Sequence, residues 1–167
     1  MIVTVFRHGQ AGDGTPDRAR ELTGTGEDDV GFGAHRLHEA CDDRQLPAPD
    51  LILHSPWVRT TQTAEILAGA FTHADVQSST ALQPGSNTSH VDAALDDLQV
   101  NGPTPQHALL VSHQPLVSML VDHYTGRPGS VPGLSPGGLA ALELEVAGAG
   151  CARTLFWALP PEYEAGL

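Results

Sequence analysis

The pattern of apolar and polar residues predicts short buried strands that alternate with amphipathic helices. The clearest strand is the run at 3–6 (Val-Thr-Val-Phe), which is followed directly by Arg7, His8 and Gly9. A run of β-branched and aromatic residues of this length is typical of a buried strand. Because Gly9 permits a sharp turn, we expect Arg7 and His8 to lie at the end of the strand.

Residues 10–26 are rich in Gly, Asp, Thr and Pro, and they predict a long loop of the kind that is often functional. An amphipathic helix follows, with Thr25 as its predicted cap. The buried stripe of this helix consists of Val30, Ala34, Leu37 and Cys41. A short buried strand at 51–53 then leads through Ser55-Pro56 into a second helix, which begins near Trp57.

The second half of the chain continues this alternation. The predicted elements are, in order, a strand at 75–82, a turn at 84–88, a short helix through Val91 and Leu98, a buried strand at 108–111, a helix after Pro115 and a Gly/Pro loop at 126–138. The segment 142–146 alternates leucine or valine with glutamate, which predicts a half-exposed strand near an edge of the sheet. A last strand is expected at 154–159. Together these elements predict a layered α/β fold with a largely parallel sheet and an antiparallel strand at the end.

The composition predicts a soluble cytoplasmic protein. Hydrophobic residues make up 40% of the 167 residues, and no apolar run is long enough to span a membrane. The first residues lack the basic and apolar segments of a secretion signal. Cys41 and Cys151 have no disulfide or metal-site spacing, which favours two reduced thiols.

The net charge of −12 argues against a nucleic acid or an anionic membrane as the partner, because both require a basic surface. All eight basic residues are arginine. A site for an anionic substrate must therefore be a local cluster of arginine and histidine within an acidic surface.

Three predicted strands end in residues that suit phosphate chemistry. Arg7 and His8 follow the first strand, Arg59 lies just after the second, and His113 follows the strand at 108–111. The carboxyl ends of parallel strands share one edge of a sheet, where ligands bind in open α/β folds. Arginine repels a metal cation but matches the oxygens of a phosphate. For Arg-His-Gly alone, a buried histidine beside a surface arginine is an equal alternative, and the convergence favours phosphate.

Four motifs in order carry a family resemblance. They are Arg7-His8-Gly9, Arg20-Glu21-Leu22-Thr23 with Gly26, Ser55-Pro56-Trp57-Val58-Arg59 with Gln62-Thr63, and Ser112-His113-Gln114-Pro115-Leu116-Val117. Over nearly its whole length the chain resembles the histidine phosphatase superfamily, and within it the SixA-type phosphohistidine phosphatases. The resemblance implies a three-layer α/β/α sandwich of the phosphoglycerate mutase-like type, forming a single histidine phosphatase domain over residues 1–167.

The resemblance also implies the roles of individual residues. His8 is the expected nucleophile, forming a phosphohistidine intermediate, while the phosphoryl oxygens are held by Arg7, Arg59 and His113. The expected substrate-binding residues are Arg20, Gly9 and Ser112. These roles agree with the chemistry, because a neutral imidazole is a good nucleophile and nearby arginines favour its neutral form. No metal or other cofactor is expected.

One departure from the family bears on the substrate. Many members carry a carboxylate before the second histidine that protonates the leaving group, whereas residues 80–85 here contain none. Asp75 and Asp92 flank this segment, and neither is assigned the role. An alkoxide leaving group needs a proton, but a phosphorylated imidazole can carry one on its far nitrogen and leave as neutral imidazole. The absence therefore favours a substrate with a phosphorus–nitrogen bond.

We predict from the sequence a monomeric, metal-independent phosphatase that acts on phosphohistidine of a protein. The partner implied by the resemblance is a phosphorylated protein such as a histidine phosphotransfer domain. Three alternatives remain open at this point. They are a phosphatase for small phosphomonoesters, a non-catalytic module that binds phosphate or phosphohistidine, and a histidine-rich metal hydrolase.

Overall fold

The fold is built on one six-stranded sheet with helices on both faces. The computed structural model describes residues 1–164 and residue 166. The strands are β1 (Ile2–Arg7), β2 (Leu51–His54), β3 (Asp75–Ser78), β4 (His107–Ser112), β5 (Leu139–Leu144) and β6 (Ala152–Ala158). The helices are α1 (Gly24–Asp43), α2 (Val58–Ala70), α3 (Thr88–Asn101) and α4 (Leu116–Thr125), and short 3-10 helices cover Asp17–Ala19 and Thr80–Leu82.

The strand order in the sheet is β3-β2-β4-β1-β5-β6. The first four strands of this order are parallel, whereas β5 runs antiparallel to both β1 and β6. The mostly parallel sheet with antiparallel pairing near the end of the chain confirms the predicted fold class. This topology brings the carboxyl ends of β1, β2 and β4 to one edge, side by side.

Two hydrophobic layers enclose the sheet, because successive strand residues point to opposite faces. Val3 and Val5 of β1 face α3 and α4, whereas Phe6 faces α1 and α2. Both layers are fully buried at their centres, which confirms the three-layer sandwich. Among the described residues, none of the helices has both the length and the apolar character needed to cross a membrane.

Three local predictions are wrong. The cap of α1 is Thr23 rather than Thr25, because the Thr23 hydroxyl accepts a hydrogen bond from the amide of Gly26. β3 ends at Ser78, since residues after Ser79 turn into the second 3-10 helix. β5 begins at Leu139 and is buried except at Glu143, so the predicted half-exposure is wrong, although the strand does lie next to the edge strand β6.

Close contact between the start of α1 and the segment after β1 holds the first strand end in place. A Cβ added at Gly26 would overlap the backbone carbonyl of Gln10, and one added at Gly9 would lie 2.8 Å from the carbonyl of Gly26. Glycine is needed at both positions so that the two backbones can approach.

We expect Gly26→Ala to destabilise the protein by about 1–3 kcal/mol, because the new methyl group must push α1 away from Gln10. The matched control is Gly24→Ala in the same helical turn, where a Cβ meets no atom within 4 Å. This control should change the free energy of unfolding by less than about 0.5 kcal/mol. Chemical denaturation measures both variants, and equal effects would contradict the role of the close contact.

Candidate active site

The predicted residues do converge at the carboxyl edge of the sheet. β1 ends at Arg7, with His8 directly after it, and β4 is followed by His113. The rings of His8 and His113 lie 5.1 Å apart between centroids. Arg59, in the first turn of α2, has its Nε 3.2 Å from His8 Nε2.

Two contacts fix the protonation of the buried His8 ring. Its Nδ1 lies 2.7 Å from the carbonyl oxygen of Gly9. Because a carbonyl oxygen only accepts hydrogen bonds, Nδ1 must carry the ring proton. Nε2 is then left with a lone pair, which accepts the hydrogen bond from Arg59 Nε. The nitrogen that faces the arginine is therefore the one able to attack an electrophile.

The surroundings of His8 also keep the ring neutral. Burial is the main cause that lowers the pKa of His8 to about 4. The positive charges of Arg59, Arg7 and Arg20 lower this pKa further, while the hydrogen bond to Gly9 acts in the opposite direction. At neutral pH the imidazole is uncharged and keeps its lone pair.

Arg59 is held by contacts with Asp17 and Trp57 as well as with His8. Its Nη1 donates to the backbone carbonyl of Asp17 at 2.9 Å, and its Nη2 lies 3.6 Å from the Asp17 carboxylate. The guanidinium also packs over the ring of Trp57, with its central carbon 4.8 Å from the ring centroid. With 7% of the side chain exposed, Arg59 is a rigid positive group beside His8.

Arg7 approaches the site from the end of β1. Its Nη1 donates to the carbonyl of Leu134, in the loop before β5, at 2.9 Å. Its Nε is buried and has no hydrogen-bond partner among the described residues. Its charge lowers the pKa of both His8 and His113, so the guanidinium lies within electrostatic reach of both rings.

His113 is oriented by Ser55, a contact that sequence reasoning missed. His113 Nε2 lies 2.8 Å from the Ser55 hydroxyl oxygen, which also accepts a hydrogen bond from the amide of Trp57. The Ser55 hydroxyl has no other acceptor for its proton among the described hydrogen bonds, so we assign this proton to His113 Nε2 and the ring proton of His113 to Nδ1. That Nδ1 is buried and has no hydrogen-bond partner among the described residues.

Burial is also the main cause that lowers the pKa of His113, to about 3. Charge interactions with His8 and Arg59 lower this pKa further, whereas Asp17 raises it. Both histidine rings are therefore neutral at pH 7. They differ in the contacts of their nitrogens, because His8 has its Nε2 lone pair next to Arg59, whereas His113 has its Nε2 bound by Ser55.

The loop after β1 carries the predicted Arg20 and an acidic residue that was not predicted. Arg20 donates to the carbonyl of Gly12 at 2.6 Å and to the carboxylate of Asp17 at 2.9 Å. It lies near the site but is tied to the loop. Asp17 contacts both Arg20 and Arg59. The spacing of three residues between Asp17 and Arg20 is compatible with an ion pair between them. The contact of Asp17 with Arg59 could not be derived from the sequence, because it depends on the path of the loop.

The other two predicted binding residues have contacts within the protein. The amide of Gly9 donates to the hydroxyl of Thr63 at 3.2 Å, and this hydroxyl in turn donates to the carbonyl of Arg59. The hydroxyl of Ser112 is fully buried and donates to the carbonyl of Leu82 at 2.7 Å. Both residues therefore connect segments of the chain that surround His8. The Ser112 hydroxyl donates its proton to Leu82, so this proton is not available to a ligand.

The two carboxylates that flank residues 80–85 lie away from the His8 nitrogen. Asp75 begins β3 and so lies at the opposite end of the strand from the site edge. Asp92, on α3, accepts a hydrogen bond from His123 of α4 at 2.9 Å. Neither is in position to protonate a leaving group at His8.

Two larger cavities in the described part of the chain are poorly suited to bind an anion. One, of about 490 Å³, is lined partly by Asp50, Asp75 and Asp97, and its carboxylates would repel a phosphate. Another, of about 530 Å³, lies between the second 3-10 helix and α3 and includes no arginine. Within residues 1–164 and 166, no group of three potential ligands is arranged to hold a metal ion.

Solved structures with this fold include several phosphatases. The protein histidine phosphatase SixA in complex with tungstate is 25% identical, with 96% of this chain and 97% of that chain covered and a TM-score of 0.74. A protein of Agrobacterium tumefaciens assigned as a phosphohistidine phosphatase SixA is 24% identical, with coverages of 95% and 97% and a TM-score of 0.73. A mycobacterial glucosyl-3-phosphoglycerate phosphatase is 17% identical, with coverages of 92% and 96% and a TM-score of 0.68.

No protein-family model matches the sequence, and no curated protein matches it either. The structural likeness extends over nearly the whole of both chains in each comparison, and below 25% identity it concerns the fold alone. The chain resembles phosphatases of the histidine phosphatase superfamily in its structure, which confirms the resemblance predicted from the sequence. Within the superfamily, SixA phosphohistidine phosphatases are among the structures it resembles.

We expect the ring of His8 to stay neutral down to about pH 4 in the free protein. An NMR titration of the ring measures this, and the signals that disappear in His8→Gln identify those of His8. Arg59→Gln should raise the pKa of His8, because it removes a positive neighbour. Since this pKa lies below the ordinary value of 6.5, the free energy of unfolding should fall as the pH drops from 6.5 toward 4. A His8 midpoint near 6.5 would contradict this account.

Proposed function

We propose that this phosphatase removes phosphate from phosphohistidine on a protein, through a transient phosphohistidine at His8 and without a metal ion. The proposal rests on the two contacts of the His8 ring. The carbonyl of Gly9 holds the proton on Nδ1, and the guanidinium of Arg59 lies 3.2 Å from Nε2. The first contact leaves Nε2 with a lone pair for attack, and the second brings positive charge to the atom that meets the phosphate.

In the first step, the Nε2 lone pair of His8 forms a bond to phosphorus while the bond from phosphorus to the substrate nitrogen breaks. The electron pair of the broken bond returns to the substrate imidazole, which keeps the proton on its far nitrogen and leaves as neutral imidazole. His8 then carries the phosphoryl group on Nε2 and the proton on Nδ1. The positive charge has moved to the His8 ring, where the carbonyl of Gly9 accepts its N–H.

Three groups stabilise the charge on the phosphoryl oxygens during transfer. Arg59 and Arg7 supply guanidinium donors, and the Nε of Arg7 has no competing partner among the described residues. His113 supplies the N–H of its Nδ1, held in place by Ser55. Catalysis of phosphoryl transfer depends mainly on positioning and on such neutralisation, and loss of one donor of this kind costs about 3–4 kcal/mol of barrier in comparable oxyanion sites.

In the second step, water attacks phosphorus and the bond from phosphorus to His8 Nε2 breaks. The electron pair returns to Nε2, and the water loses one proton to the solvent as inorganic phosphate is released. Because phospho-His8 keeps its proton on Nδ1, its imidazole departs neutral and needs no additional acid. The ring returns to the tautomer in which it began.

The choice of a phosphorus–nitrogen substrate rests on the absence of an acid for the leaving group. Residues 80–85 contain no carboxylate, and Asp75 and Asp92 lie elsewhere. An alkoxide would have to leave without a proton, whereas a phosphoimidazole supplies its own. The proposal therefore treats phosphohistidine as the substrate that the site transfers fastest.

A protein substrate fits the short connections around the site. The segment from Arg59 to His113 consists of the rest of α2, β3, a 3-10 helix, α3 and β4, with only short turns between them. No additional subdomain is formed by this segment, so a histidine displayed on the surface of another protein could reach His8. By the family resemblance, we propose a histidine phosphotransfer domain as the partner.

The second candidate is a phosphatase for small phosphomonoesters. The observation in its favour is that the fold is shared with a glucosyl-3-phosphoglycerate phosphatase. The two candidates have the same nucleophile and differ in the leaving group. A non-catalytic binding module is disfavoured by the lone pair on His8 Nε2, which binding alone does not require.

We expect rapid-quench experiments to trap phosphate on His8 that is labile in acid and stable in base. The phosphoenzyme should form rapidly from a phosphohistidine peptide and at least about a hundredfold more slowly from an alkyl phosphate, because the alkoxide lacks a proton donor. His8→Ala should abolish the label, and the exposed His90→Ala should retain it. A chelator should not change the rate.

Each alternative gives a different result in the same experiment. A binding module would show no phosphoenzyme with any substrate. A small-ester phosphatase would form the phosphoenzyme faster from the alkyl phosphate than from the peptide. A metal hydrolase would lose activity with the chelator and would keep it in His8→Ala.

A further inference from the structure

The carboxylate of Asp17 lies at the rim of the site, on the far side of Arg59 from His8. The Nε of Arg59 contacts His8 Nε2, while its Nη1 and Nη2 contact the carbonyl and the carboxylate of Asp17. Asp17 is 56% exposed and Arg59 only 7%, so the carboxylate faces the solvent from which a substrate arrives.

The charge of Asp17 reaches into the site. Its hydrogen bond with Arg20 is the main cause that lowers its pKa, and Arg59 lowers it further, so the group is a carboxylate at neutral pH. The negative charge in turn raises the pKa of His113, against the stronger effect of burial. The charged groups that face Asp17 are Arg20 and Arg59, and the titratable ring of His113 lies at longer range.

A fixed negative charge beside an anion site opposes substrates that are anionic throughout. A phosphomonoester has a dianionic phosphate and develops negative charge on its leaving oxygen, so the Asp17 carboxylate would repel it. A phosphohistidine protonated on its far nitrogen carries a positive ring next to its phosphate. A site that holds positive charge at Arg7 and Arg59, close to the neutral His8, and negative charge at Asp17 has the complementary pattern.

We infer that Asp17 is a specificity-determining residue, which selects phosphohistidine by accepting a hydrogen bond from the protonated far nitrogen of its imidazole. The inference rests on the function proposed above and deepens it. In an in-line displacement the leaving group departs opposite to the nucleophile. The guanidinium of Arg59 contacts His8 through Nε and the Asp17 carboxylate through Nη2, so a phosphoryl group bound by Arg59 has both residues as neighbours, and we place the leaving imidazole on the Asp17 side.

Asp17 takes no proton in this step. It stabilises the imidazolium form of the bound substrate, in which the far nitrogen carries its proton. When the bond from phosphorus to nitrogen breaks, the electron pair enters the ring, and the ring leaves as neutral imidazole with that proton still attached. The positive charge passes to phospho-His8, and Asp17 remains a carboxylate throughout.

The test compares Asp17→Asn with the wild-type protein on a phosphohistidine peptide and on p-nitrophenyl phosphate. We expect kcat/KM to fall about fivefold for the peptide, the size of one exposed charge interaction, and to stay equal or rise for the aryl phosphate. Asp17→Glu should keep the wild-type preference, because it keeps the charge. Asp13→Asn is the matched control, since Asp13 is an exposed carboxylate of the same loop.

A second readout distinguishes selection of the imidazolium from simple support of Arg59. The rate of phosphoenzyme formation from bound peptide should decline at high pH as the far nitrogen loses its proton. In Asp17→Asn this decline should move to lower pH by about 0.7 unit, the logarithm of the fivefold effect. The shift should shrink in high salt.

Equal changes for the two substrates, or an unshifted pH profile, would overturn the inference and leave the proposed function standing. Asp17 would then only hold Arg59 and Arg20 in place. If the wild-type protein forms no phosphoenzyme from the peptide, the proposed function itself fails, and the inference fails with it. The two failures are therefore distinguishable.

Discussion

The site depends on a histidine that is kept neutral while it touches a positive charge. His8 is buried, its Nδ1 proton is bound by the carbonyl of Gly9, and its Nε2 accepts a hydrogen bond from Arg59. Burial and the neighbouring arginines both oppose protonation of the ring. The same arginines are the groups that a phosphate needs. One arrangement therefore prepares the nucleophile and attracts its target.

The rest of the structure around the site serves to hold this arrangement. The close approach of Gly9 and Gly26 fixes the turn after β1, and Thr63 connects that turn to the backbone of Arg59. Trp57 packs against Arg59 and also against the ring of His113. An overall charge of −12 does not prevent anion binding, because the charges nearest to His8 are positive.

Much of the fold and the centre of the site could be predicted from the sequence, because both depend on short-range patterns. Apolar runs identified the strands, and Arg7, His8 and His113 stand directly at strand ends, where a parallel sheet brings them together. The position of β5 was predicted wrongly, because the alternation of leucine with Glu143 and Glu145 favoured a strand that starts at Leu142. The buried residues before it, Leu139-Ala140-Ala141, belong to the same strand but do not show this alternation.

The contacts of Asp17 and Ser55 could not be predicted, for a physical reason. Asp17 lies in a 3-10 helix within a loop, and no apolar periodicity determines the path of such a segment. Ser55 is visible in the sequence as part of a helix start, but its contact with His113 joins residues 58 positions apart. Contacts of this kind depend on the assembled sheet, and they are also the ones that set the tautomer of His113 and the charge at the rim.

The most direct test is a crystal structure of the protein with vanadate, which mimics a phosphoryl group in transfer. The account predicts vanadium bound at Nε2 of His8, with its oxygens in contact with Arg7, Arg59 and Nδ1 of His113. Vanadate bound at Nδ1 of His8, or bound at a place that these four residues do not share, would contradict it.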